Sequence, residues 1–267
     1  MRSKVQFSLF ASLVALAACS DGTAPGSAVS VRMSVKAPTA GSAMMGSTGI
    51  AGGSRAAQEL EITGGNGTLR ISDIRVIVDE LELKRVEDGT LDCDVDPEPE
   101  GCEEFEAGPF FVAVPLTGEP VTVTSQDIPE GSYDELEFEV DDIEVDDDEG
   151  DEAQAILDLL NTVRQEFADW PGRATMLVAG TFTPTGGEPV AFRVYFEAEV
   201  EVELDIDPPL VVGASGGTVN VALDPAAWFM RADGTVVDLS AWDFATTGEV
   251  IEFELEMEDG FELEIDD

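Results

Sequence analysis

The sequence predicts a mainly β protein: an antiparallel β-sandwich with one amphipathic helix at about residues 151–168. Three observations carry that expectation. Beyond residue 67 apolar and polar residues alternate with a period of two, most clearly at 133–140, 192–206 and 251–257, the pattern of strands buried on one face. One segment alone has a helical period, with Ile156, Leu160, Val163 and Phe167 at spacings of four, three and four. Hydrophobic residues make up 43% of the chain, enough to build a core despite the heavy charge.

The elements follow in order. Residues 20–66 are rich in Gly, Ser, Ala and Thr and read as a flexible linker, with a coil reach on the order of 35 Å. Within it Val29, Val31, Met33 and Val35 alternate and admit a first strand. Ile74, Val76 and Val78 form the next pattern, and Leu81 and Leu83 continue it after a local break. Phe110 to Val114 and Val121 to Thr124 are shorter strands around the turn Leu116-Thr117-Gly118-Glu119. From Tyr133 to Val140, Leu136, Phe138 and Val140 share one face and Glu135, Glu137 and Glu139 the other. The helix is prefaced by acidic residues from Asp146 to Glu152, which complement its dipole, and Trp170-Pro171-Gly172 ends it.

The longest strand pattern runs from Phe192 to Ile206, with Phe192, Val194, Phe196, Ala198, Val200, Val202, Leu204 and Ile206 inward. Arg193, Tyr195, Glu197, Glu199, Glu201, Glu203 and Asp205 face outward. Ile251 to Met257, the turn Asp259-Gly260 and Phe261 to Ile265 read as a final hairpin. No repeat relates the two β-rich halves, so one domain is expected.

Charge excludes a class of partner. There are 57 acidic and 13 basic residues, a formal net charge of −44. That field repels phosphate backbones and excludes nucleic acid. Three lysines against ten arginines, with abundant Asp and Glu, suit a protein working in salty water.

The N-terminus carries Arg2 and Lys4, then a mostly apolar run from Val5 to Ala18. That run falls short of the roughly 20 residues a spanning helix needs and has the layout of an export signal. Its last turn, Leu16-Ala17-Ala18-Cys19, resembles the lipobox of bacterial prolipoproteins. In that family the signal is cut before the cysteine, whose thiol carries a diacylglycerol. The resemblance implies a signal at 1–18, a lipidated Cys19 with its linker to residue 66, and an ectodomain over 67–267. The product would be exported and lipid-anchored to the bacterial envelope, at the outer membrane or cell surface.

With Cys19 set aside, Cys93 and Cys102 remain, in the stretch CDVDPEPEGC. In an oxidising compartment they read as a disulfide clasp, worth about 2.5–3 kcal/mol in the chain-entropy model. Two cysteines without any histidine cannot fill a usual zinc site. Calcium is a second reading of the same loop. Asp92, Asp94 and Asp96 have one-three-five spacing and Glu103 falls at position twelve, but Pro97 stands where an EF-hand needs Gly.

A second resemblance lies in Val114-Pro115-Leu116 and Asp127 to Leu136, where strand, turn and strand lead into Pro129-Glu130-Gly131-Ser132-Tyr133. Pro and Gly make a tight reversal, and Tyr133 can pack its ring inward and reach backbone with its hydroxyl. This segment looks like β-sandwich domains of bacterial surface lipoproteins and, more loosely, transthyretin-like modules. Ala227-Trp228-Phe229 with Asp233-Gly234 is similar to a recurring feature of such proteins. The resemblance implies a fold and carries no activity.

Chemistry is sparse. The absence of histidine removes Ser-His and Cys-His nucleophilic sites and imidazole bases. Gly213-Ala214-Ser215-Gly216-Gly217 matches G-x-S-x-G, yet it lies between two strand patterns and reads as a glycine-rich loop. Paired carboxylates could serve glycoside hydrolysis, but so many are present that spacing carries no information. Trp228 and Trp242 are candidate stacking platforms for a glycan, with a place in the core as the plainer reading. The acidic strand faces are the least ordinary feature. Like charges opposite one another on neighbouring strands destabilise, and either diffuse counterions or bound calcium would relieve them. The expectation is a non-catalytic envelope module that binds a ligand, glycan or envelope protein, with a glycan-active enzyme or a surface spacer as alternatives.

Overall fold

The computed structural model describes residues 27–36, 59–86, 105–140, 151–198, 200–213, 216–252 and 260–266. Strands in three sheets surround one hydrophobic core, and a helix covers an outer face. With strands numbered in chain order, the first sheet runs β14 (Phe261–Asp266), β12 (Gly217–Leu223), β1 (Ser27–Val35) and β7 (Val121–Ile128). The second runs β13 (Ile251–Glu252), β10 (Val190–Glu197), β9 (Met176–Pro184), β3 (Gly67–Val78) and β2 (Leu60–Gly64), with β6 (Phe110–Ala113) also on β3. The third runs β11 (Val200–Val212), β8 (Gly131–Val140), β4 (Glu80–Arg85) and β5 (Phe105–Ala107). The expected mainly β sandwich with one longer helix is the observed class.

β1 corrects the expected linker. It lies inside the first sheet, parallel to β12 and antiparallel to β7, with Val29, Val31, Met33 and Val35 buried. Four inward apolar residues outweigh the small, polar composition around them. β2 likewise buries Leu60 and Ile62 before residue 67. At the tip of the β2–β3 hairpin the Asn66 amide pairs with Val236 as a strand would. Its Nδ2 donates to the Val236 carbonyl and its Oδ1 accepts the Val236 N–H, both at 2.8 Å.

The run from 192 to 206 is two strands. β10 belongs to the second sheet and β11 to the third, and the chain turns between them at Ala198, which is fully buried. Thr175 pins this corner, accepting the Ala198 N–H on Oγ1 at 2.9 Å. Phe192, Val194, Phe196, Ala198, Val202 and Ile206 of the expected inward face are buried, because both sheets face the same core and the alternation keeps its phase across the corner. A similar crossing occurs at Asp79, between β3 and β4, where the Asp79 N–H donates to the Glu139 carbonyl at 2.9 Å.

Two further expectations change. β14 pairs antiparallel with β12, and β13 pairs parallel with β10, so the ends of the expected final hairpin lie in different sheets. Tyr195, expected on an outward face, is fully buried. The helix α1 (Asp151–Glu166) covers that face of the second sheet, packing Ile156, Leu160 and Val163 with Ile77, Leu177, Tyr195 and Trp170. The second sheet is thus buried on both sides, and period-two patterning fails where the polar side should be.

Candidate functional site: the acidic face of the third sheet

The third sheet turns Leu81, Leu83, Leu136, Phe138 and Val202 into the core. Strict alternation then places the intervening residues on the opposite face, and register aligns them in rows. One row is Glu139 and Glu80. The next is Glu203, Glu137, Glu82 and Glu106. The third is Asp205, Glu135 and Lys84. Acidic residues therefore face acidic residues across two to four strands, an arrangement that repels itself.

Lys84 is the internal answer to that repulsion. Its Nζ lies 3.0 Å from Glu135 Oε1 and also bonds Glu137 Oε2. Hydrogen bonds to Glu137 and then Glu135 hold its pKa well above the ordinary lysine range. Beside it, carboxylate oxygens of Glu135, Glu137 and Glu203 all lie within 4.8 Å of one another. Oxygen ligands about 2.3–2.6 Å from a common calcium fit that spacing. Lys84 already spends its charge on two of the three, so a divalent cation would have to compete with it.

The end of this sheet is fixed by the motif singled out in the sequence. Tyr133 is fully buried, and its hydroxyl donates to the Pro129 carbonyl at 2.8 Å. Arg85 lies over the Tyr133 ring, 5.6 Å from its centroid, and donates to the Glu130 carbonyl at 2.9 Å. The reversal from β7 to β8 is thereby tied to the end of β4.

The remaining sequence candidates are dispersed. Trp228 is 4% exposed and lines a small apolar void with Met33, Phe138 and Met176, so its ring offers no surface platform. Trp242 is half-buried against the core. Cys19, Cys93, Cys102, Asp92, Asp94, Asp96 and Glu103 lie outside the described residues, as does Ser215. Gly213 and Gly216 bracket Ser215 and close a turn, with Gly216 N–H donating to the Gly213 carbonyl at 2.9 Å. That turn joins β11 to β12, not a strand to a helix. Glu197 pairs with Glu252 across parallel strands and forms an ion pair with Arg173 at 2.6 Å. Further along, Glu201 to Asp205 pair with β8.

A second cluster lies under α1. Trp170 meets Tyr195 and Phe111 edge-on, with centroids 5.3 and 5.5 Å apart. Tyr195 donates to Asp169 Oδ1 at 3.1 Å. Burial, with the neighbouring Asp169 charge, pushes its pKa up to about 12. This cluster docks the helix, and its polar groups are mutually satisfied.

The chain was compared with known proteins. It matches no family model, no curated protein and no solved structure. The acidic rows therefore stand on their own geometry. The alternation of β8 and β11 was visible in the sequence; β5 was not, and the missing signal was which strands are neighbours.

Proposed function

We propose that the chain is an exported lipoprotein, anchored through Cys19, whose β-sandwich is a non-catalytic binding module of the bacterial envelope. Its ligand face is the outer face of the third sheet, and the ligands are cationic: calcium, or a basic segment of an envelope protein. The observation that supports this most is the register that stacks Glu203 with Glu137 and Glu82, and Asp205 with Glu135. A sheet concentrates like charge in rows at a cost in stability, and a bound cation offsets that cost. Glycan stacking loses support because Trp228 is buried.

Calorimetric titration of the ectodomain with calcium tests the ligand. Heat of binding that falls at least tenfold in affinity in Glu135→Gln/Glu203→Gln supports the face as the site. Unchanged binding in that variant places it elsewhere.

A further inference from the structure

We propose that the sandwich stands on end close to the lipid surface, with the end carrying Ser27 toward the membrane and the acidic face presented sideways. The proposal rests on the lipid anchor at Cys19. Seven residues, 20–26, separate that cysteine from Ser27, the first residue of β1. Fully extended, this connection spans about 29 Å, and as a coil it averages about 15 Å. The expected linker to residue 66 would have left the domain free to roam.

Register identifies which parts share that end. Ser27 pairs with Ile128, and β7 turns there into Gly131 of β8. Val212 pairs with Gly131, and Val29 pairs with Gly217 of β12. Arg85 pairs with Tyr133, so β4 finishes at the same end. β1 is flanked on both sides by β7 and β12, so the chain leaves along the strand direction. To put the opposite end on the membrane, residues 20–26 would have to run back along all of β1. Nine strand residues cover roughly 30 Å, which consumes the whole extended connection.

The near end also carries Val211, 70% exposed against 47% and 40% for Val190 and Leu157, the other exposed large apolar residues among those described. Along β8, Glu135 stands roughly 13 Å and Glu139 roughly 26 Å beyond Gly131. The acidic rows therefore meet partners in a layer next to the bilayer.

Energy transfer tests this in the full chain, produced in a lipidating bacterium and reconstituted in vesicles with a dansyl-labelled lipid headgroup. Val211→Trp and Glu130→Trp probe the near end and Glu80→Trp the far end, each after subtraction of the unsubstituted chain. All three positions are exposed, and two near-end probes guard against one variant failing to fold. Transfer several-fold stronger from the near-end probes, lost on inserting a long Gly/Ser stretch after Asp21, is the expected result. Equal transfer, or stronger transfer from Glu80→Trp, in a chain that floats with the vesicles overturns the orientation alone. A mature chain without diacylglycerol mass on Cys19, or flotation unchanged in Cys19→Ser, overturns the anchor and the orientation with it.

Discussion

At the scale of single residues, Lys84 decides how the acidic face is tolerated. It lies among carboxylates from β8, bonded to Glu135 and Glu137, and no other row position on this face is basic. Because its folded-state pKa is raised, the stability it contributes is complete below the ordinary lysine pKa. That contribution is lost only as pH rises through the higher folded value, so it is fully present at neutral pH. Lys84→Met is expected to cost about 1–2 kcal/mol and to steepen the dependence of stability on salt, both read from urea unfolding at low and high NaCl. Tyr133 is the residue whose role was most legible beforehand. A Pro-x-Gly-x-Tyr reversal needs an inward ring and a backbone acceptor, and both are present. Lys84 was not legible, because its importance depends on strands far apart in sequence.

At the scale of elements, local patterning was read well and neighbourhood was not. The helix was plain from its four-three-four spacing, since amphipathic period needs no knowledge of what lies beneath it. The inward residues of 192–206 were also plain, but the corner at Ala198 was hidden because a strand that changes sheets around one core keeps its alternation. Tyr195 was misread because the helix that buries it is remote in sequence: α1 ends at Glu166, well before β10 begins at Val190. The docking of α1 on β10 makes a pH dependence specific to this element pair. Tyr195 has a folded pKa of about 12, above its unfolded value of 10.0. Its contribution is present below the unfolded value and fades as pH rises through the folded one. Stability measured by urea unfolding is expected to decline between about pH 10 and 12, and Tyr195→Phe should flatten part of that decline. An identical slope in the variant would mean that other groups carry the alkaline loss.

At the scale of the whole molecule, composition and topology act together. A net charge of −44 spread evenly would be a solvating coat. The third sheet instead gathers part of it into rows, while its other face belongs to the core shared by all three sheets. Removing self-repulsion from those rows should therefore stabilise the entire fold and not one edge. Diffuse screening and ordered binding both do this, but only ordered binding distinguishes calcium from sodium.

Thermal unfolding of the ectodomain in calcium chloride and in sodium chloride at matched ionic strength separates them most directly. The account expects the melting temperature to rise further in calcium, at concentrations too low to screen, with that excess lost in Glu135→Gln/Glu203→Gln. Equal curves in the two salts would contradict a cation-binding face and leave the rows as a solvated surface.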